Sequence, residues 1–352
     1  MTPSVTVRTA GRCFCPSPSG KSERCLEGWD NLLKGLEENR IPVLAVVGPT
    51  ASGKTGLGIE LALALGGEVI SADSMQIYRG MRIATARPTE EEMRGVPHHL
   101  IGFVDPQDRY SVARYLEDAG AAIREAAGRG RLPVLVGGTG LYVDSLLDGI
   151  TFREERQDES LRRMLAEEAD RLGNEAMLEK LAAIDPGYAQ TLHPNNRGRI
   201  LRALELFYGT GVTMSEQLRI SRERPSPYRC LRLGIGFSDR RKLYERIDLR
   251  VDQMLRDGLL DEVQEFYRRY DPGTAAQAIG CKEFLPFLSG QEPLESCVER
   301  LKQETRRYAK RQMTWFRRNS DTVWLLRDEE GVQALTARAV RLAREWLLKN
   351  DR

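Results

Sequence analysis

The run GPTASGKT at residues 48–55 constrains this chain more than any other stretch, because it matches GxxxxGK[ST] and sits between an apolar strand and an apolar-periodic helix. The preceding IPVLAVV is a short continuous apolar segment, and TGLGIELALALGG follows with helical periodicity. Glycines let successive backbone amides turn inward around a phosphate. The helix start presents its positive end, and Lys54 adds a point charge. Gly48, Pro49, Thr50, Ala51, Ser52, Gly53, Lys54 and Thr55 are therefore the expected phosphate cradle, with the Thr55 hydroxyl placed to ligate magnesium.

Further strands are expected at GEVISADS, at RLPVLVGG, at CLRLGIGF over 230–237 and at VWLL over 323–326. Between them, Val112, Tyr115, Leu116, Ala119 and Ile123 follow helical spacing, and RRKLYERIDLRVDQMLRDGLLDEVQEFYRRY reads as helix. Alternating strands and helices imply an α/β fold with a P-loop NTPase-like parallel sheet flanked by helices. Residues 152–229 contain no strand pattern and are rich in Glu, Arg and Leu, which predicts an all-helical insertion domain. The expected organisation is an extension over 1–40, a core formed by 41–151 with 230–352, and the helical insertion between the two core segments. The first 22 residues lack acids and contain several Ser and Arg. That composition suits a transit peptide, a flexible tail or an over-long start.

A chain of 352 residues with 41% hydrophobic and 30% charged residues can bury a sizeable core, and its net charge of +2 selects no partner by itself. No apolar run approaches the ~18 residues of a membrane span, so no membrane partner is expected. Cys13, Cys15, Cys25, Cys230, Cys281 and Cys297 form no CxxC pair, which favours reduced thiols in a cytoplasmic protein. The adjacent His98 and His99 would point opposite ways on a strand, and are expected to be structural or to line the pocket.

An ATPase places an acid at the end of a second apolar strand, where it supports attack on the γ-phosphate. Here LPVLV runs instead into Gly137, Gly138 and Thr139, which weakens a hydrolytic reading and leaves Asp73 as the other candidate acid. The local basic cluster lies between Thr305 and Arg318, where Arg306, Arg307, Lys310, Arg311, Arg317 and Arg318 occur without an acid. Arg307, Arg311 and Arg318 share one helical face suited to nucleic-acid phosphates, whereas Tyr308 and Trp315 are open between base stacking and core packing. Arg197, Arg199 and Arg202 make a smaller cluster in the insertion.

Seven segments in order, GPTASGKT, ISADSMQIYRGMRIATARPT, HHLIG, LVGGTGLYVDSLLDG, HPNNRGRILRALE, AIGCKEF and TRRYAKRQMTWFR, resemble the tRNA dimethylallyltransferases of bacteria. The resemblance spans nearly everything after residue 40. It implies transfer of the dimethylallyl group of dimethylallyl diphosphate to the exocyclic amino nitrogen of adenosine at position 37 of tRNA, beside the anticodon, with diphosphate leaving. It further implies that the cradle holds the donor diphosphate with Mg2+ on Thr55, that Arg250 adds a positive contact, and that Asp73 is the general base. Thr139 would hydrogen-bond near the reacting nitrogen. Capping or magnesium ligation remains open for Asp73, as does a plain turn role for Thr139.

By the same resemblance tRNA contacts Asp73, Ser74, Met75, Gln76 and Thr139, then Gly198, Arg199, Ile200, Leu201 and Arg202, then Gln277, Ala278, Ile279, Gly280, Cys281 and Lys282, with Arg162 as a further contact. Arg307, Lys310 and Arg311 join them from the basic cluster. Cys281 stands where many relatives have Tyr, which removes any stacking at that position. A free adenine-nucleotide isopentenyltransferase of the cytokinin-forming kind, a P-loop small-molecule kinase and a tRNA-binding protein without chemistry are the competing readings. A monomer is the default.

Overall fold

Every residue from Pro42 to Val47 is buried, so the first strand needs cover on both faces, and a parallel sheet between helices supplies it. The computed structural model describes residues 40–150, 158–222, 226–271 and 273–349. Its six strands are β1 (Ile41–Val47), β2 (Gly67–Ser71), β3 (His98–His99), β4 (Leu132–Gly137), β5 (Tyr228–Gly236) and β6 (Val323–Leu326). They lie in the order β3-β2-β4-β1-β5-β6 with every neighbouring pair parallel. Leu44 pairs with both Val134 and Leu231, so β4 and β5 flank β1 in register and their carboxyl ends finish at one edge. Ligands of open α/β sheets bind at that edge, where the loops from different strands converge.

The longer helices are α1 (Lys54–Leu65), α2 (Val112–Gly128), α3 (Gly140–Leu147), α4 (Glu159–Leu172), α5 (Asn174–Ile184), α6 (Arg197–Thr210), α7 (Met214–Arg222), α8 (Arg240–Arg256), α9 (Leu259–Arg269), α10 (Leu294–Phe316) and α11 (Val332–Lys349). Local chemistry sets their ends. Ser111 accepts from Arg114 N at the start of α2, Asp239 accepts from Arg241 N at the start of α8, and Gly258, at φ 94°, separates α8 from α9.

Helices α4 to α7 contain no strand between them, and they bury an apolar centre of Leu165, Met177, Leu181, Ile200 and Leu204. Strand β5 begins two residues before the expected Cys230, at Tyr228, whose backbone pairs with Ile41. The two-residue β3 is too short and too polar to stand out in the sequence; it exists because Val69 and Ile70 of β2 pair with His98 and His99. The extension over 1–39, with Cys13, Cys15 and Cys25, lies outside the described residues. No helix among the described residues is long and apolar enough to cross a membrane.

Candidate active site

Three loops leave the carboxyl edge of the sheet side by side. The loop after β1 is the glycine-rich cradle, in which Gly53 takes φ 94° and Ala51 φ 61°, left-handed values that turn the chain sharply around the start of α1. Two arginines hold it from outside: Arg246 Nε donates to Ala51 O at 3.0 Å, and Arg327 Nη1 donates to Ser52 O at 3.1 Å. Of the cradle amides, Ser52 N is taken by Pro49 O and Thr50 N by Gln312 Oε1, which leaves those at the start of α1 for an oxyanion. Ser52 Oγ is buried and has no protein partner among the described residues, an unspent polar group inside a loop shaped for oxyanions.

The loop after β2 carries Asp73. Its Oδ1 accepts from Met75 N at 2.9 Å and Gln76 N at 3.3 Å, which caps the turn and aims the carboxylate. Capping and chemistry are thus compatible, since Oδ2 makes no hydrogen bond among the described residues. The loop after β4 carries Thr139, whose Oγ1 accepts from Ser74 N at 3.0 Å and whose own N donates to Ala72 O at 3.1 Å. The glycines that stand in place of an ATPase acid have a steric cause. A Cβ on Gly137 would come within 2.2 Å of Ala72 O, and one on Gly138 within 2.2 Å of Gln312 Nε2.

The loops after β1 and β2 open on a cavity of about 280 Å³ lined by Thr50, Lys54, Asp73, Arg250, Tyr308 and Arg311, among others, whereas Thr139 stands behind it, joined to it through Ser74. That is close to the lower end of small-molecule sites, ~300 Å³. Burial pushes the Lys54 ammonium down to about 8, against the negative charge of Asp73 and with the help of Arg250. Desolvation likewise lowers Arg250, opposed first by Asp73 and then by Glu92, so the Asp73 carboxylate is a counter-charge shared by two half-buried cations. Burial holds the Tyr308 hydroxyl above its ordinary range, with Asp73 adding to the effect and Thr139 opposing it, which keeps it a neutral donor.

The remaining expected site residues divide by position. Ser74, Met75, Gln277, Ile279, Gly280 and Lys282 line the same cavity. Gln76 instead braces the neighbouring segment, donating through Nε2 to Thr85 O at 3.2 Å. Ala278 and Cys281 are buried at 2% and 0% exposure, so their side chains face the core; Cys281 Sγ lies 3.6 Å from Met81 Sδ, and burial pushes its thiol up to about 12. Ile200 is also buried, in the apolar centre formed by α4 to α7. Gly198 and Arg199 are exposed and Leu201 is half-buried on α6, where Arg162 and Arg202 both pair with Glu205 at 3.4 and 3.2 Å. None of these residues of α4 and α6 lines the cavity.

On α10, Arg307 pairs with Glu304 at 2.5 Å, Lys310 lies in a groove on the other side of the helix, and Arg311 sits 5.6 Å from the Tyr308 ring. Of the two open aromatics, Trp315 is structural, donating Nε1 to Asp144 Oδ2 at 2.6 Å, whereas Tyr308 faces the cavity. The histidines divide as well: His99 Nε2 meets Glu68 Oε2 at 2.8 Å, and His98 lines a small pocket beside Thr55 and Asp73.

Sequence reasoning missed Arg246, Arg327, Gln312 and Glu262. The spacing of Arg246 four residues before Arg250 on one helix was a usable signal. Glu262 of α9 had none: its carboxylate accepts from Arg82 N, Ile83 N and Ala84 N at 2.8–2.9 Å, fixing the segment whose Ala84, Thr85 and Ala86 wall the cavity. Glu262→Ala is expected to lower stability by about 2 kcal/mol, since three amides lose a charged acceptor. The urea midpoint measures this, and an unchanged midpoint would deny the role.

The family description "IPP transferase" matches residues 76–319, and "Isopentenyl transferase" matches 41–101. The tRNA dimethylallyltransferase of Bacillus subtilis is 48% identical over 290 residues, covering 82% of this chain and 92% of the relative. The crystal structure of a tRNA isopentenylpyrophosphate transferase from Bacillus halodurans superposes with a TM-score of 0.65 at 42% identity, over 88% of this chain and 97% of that one. A eukaryotic dimethylallyltransferase crystallised acting on tRNA gives a TM-score of 0.74 at 30% identity, over 88% and 80%. The motifs read from the sequence, the loops that converge at the sheet edge and these likenesses agree, and the chain belongs to the IPP transferase family.

Proposed function

We propose that this chain transfers the dimethylallyl group from dimethylallyl diphosphate to the exocyclic amino nitrogen of adenine at position 37 of tRNA. The observation that carries the reading is a single cavity lined by the cradle lysine, a carboxylate and an arginine of the basic helix α10. In the reaction the C–N bond forms as the allylic C–O bond breaks. The electron pair of that C–O bond leaves with the diphosphate, and the amine proton passes to Asp73. Lys54, Arg250 and the cradle amides stabilise the charge that develops on the leaving group. An aromatic amine is a poor nucleophile until its proton is taken, and a carboxylate in hydrogen-bond reach serves that step. Thr139 and the neutral Tyr308 hydroxyl orient the amine.

Mg2+ would be held through Thr55, which lines a small pocket with Lys54 and Asp73 beside the cavity, and the donor set suits an ion that binds few protein groups and keeps substrate oxygens and waters. No cluster of three or more His, Cys, Asp or Glu among the described residues offers a dedicated cage. When bound, the ion neutralises charge on the diphosphate. Reaching a stacked anticodon-loop base requires its extrusion into the cavity. Arg311 and Lys282 at the cavity, with Arg307, Lys310, Arg162 and the solvent-facing Gly198, Arg199, Leu201 and Arg202, make up the proposed tRNA surface, to which the insertion over 152–229 contributes as a domain.

Labelled donor offered with unmodified tRNA or with AMP tests the reading. Label is expected in tRNA; label in AMP alone would overturn it.

The Lys54 value sets a pH dependence. Its pKa in the free protein is depressed to about 8, so the ammonium is charged below that pH and loses its proton as pH rises through it. Bound diphosphate favours the charged form and raises the value again. Donor kcat/KM is therefore expected to fall above about pH 8, approaching tenfold per pH unit, while kcat stays level further into alkali. A level kcat/KM up to about pH 10 would contradict this.

A further inference from the structure

Gln312 lies on α10, is 5% exposed, and bridges two loops of the sheet edge with one carboxamide. Its Oε1 accepts from Thr50 N at 2.8 Å, and its Nε2 donates to Gly138 O at 2.9 Å. Thr50 belongs to the cradle after β1, and Gly138 precedes Thr139 in the loop after β4. From Thr139 the chain of bonds continues to Ala72 O and Ser74 N, on either side of Asp73. The loop that would hold the leaving group is thus tied, bond by bond, to the loops that would hold the acceptor.

We propose that Gln312 is a positioning residue that sets the spacing between the diphosphate cradle and the acceptor-side residues Thr139 and Asp73; the inference rests on the transfer reaction proposed above. The bridge needs an acceptor and a donor on one short planar group, which a carboxamide supplies without any change of protonation. Asparagine is one methylene too short. Gly138 approaches Gln312 so closely that a Cβ there would have to displace the carboxamide from its bond to Gly138 O. The same helix presents Tyr308 and Arg311 to the cavity, so the groups facing the acceptor and the brace on the cradle belong to one rigid element.

Misplacement of reacting groups by about 1 Å costs on the order of 100-fold in rate. The test is a single-turnover assay with the full chain, unmodified tRNA and saturating dimethylallyl diphosphate, reading rate and amplitude separately. In Gln312→Ala the rate is expected to fall about 30-fold or more, and in Gln312→Glu about tenfold at a pH where the carboxyl is ionised, since the carboxylate keeps the acceptor for Thr50 N but has no donor for Gly138 O. Amplitudes and tRNA affinity, measured by direct binding, are expected to stay near wild type.

Rates within threefold of wild type would overturn the inference. So would reduced amplitude at an unchanged rate, or failure of both variants to fold, because each marks a purely structural brace. If the wild-type chain itself gives no prenylated adenosine, the proposed function fails and the inference falls with it. Product from wild type with unaltered variants overturns the inference alone.

Discussion

Asp73→Asn is expected to lower the single-turnover rate by about 10²–10⁴-fold while leaving tRNA binding and the fold intact. Asparagine keeps an oxygen to accept from Met75 N and Gln76 N, so the turn after β2 stays capped. What it loses is basicity. It also loses the negative charge that opposes desolvation of Lys54 and Arg250. Donor affinity is therefore expected to change less than rate, and in the direction set by Lys54: with Asp73 neutral, the lysine pKa drops further and donor binding weakens first at alkaline pH. Rapid quench at saturating donor separates the two effects, and a rate within threefold of wild type would remove Asp73 from the chemistry.

Lys54→Met is expected to cost about 10²–10³-fold in kcat/KM for the donor, the scale at which removing one preorganised charge-stabilising group acts on a transition state. Methionine preserves much of the packing of the side-chain stem. The lost groups are the ammonium and its hydrogen bond to Pro49 O, 3.3 Å away. Loss of rate at saturating donor would show that the lysine stabilises the departing diphosphate, whereas a change confined to KM would make it a ground-state binding group. Donor titrations in both regimes distinguish these, and retention of more than one third of wild-type kcat/KM would contradict the role.

The parts of the fold that lie close together in sequence were legible. Strand, glycine loop and helix at 41–65 announce themselves because apolar run, φ-permissive glycines and helical periodicity succeed one another within 25 residues. Asp73 and Thr139 stood out as polar residues at the ends of apolar strands, where ligands of α/β sheets bind. The remainder was hidden by distance along the chain. Gln312 reaches Thr50 across 262 residues, Arg327 reaches Ser52 across 275, and Glu262 reaches the 82–84 amides across about 180. Such contacts obey no local period. Gln312 stood in plain view within TRRYAKRQMTWFR, but a neutral residue among arginines gives no hint that its amide turns inward.

Burial was hidden for a related reason. Motif likeness places Ile200, Ala278 and Cys281 beside residues that face outward or line the cavity, yet helix and turn geometry alternates sides within each segment and sends these three into cores. Gly137 and Gly138 are a different case. Their presence was read as the absence of an acid, and the structure gives the positive reason, which is the close approach of Ala72 and Gln312.

The central claim is that the glycine-rich cradle holds a leaving group and not a nucleotide fuel. The most direct measurement follows both halves of a doubly labelled donor, with one label in the prenyl chain and the other in the diphosphate, during incubation with unmodified tRNA and without ATP. One diphosphate released for each prenyl group fixed in tRNA, at a rate that added ATP does not raise, is the result expected here. Phosphate release from ATP, with the prenyl label still on its diphosphate, would contradict it.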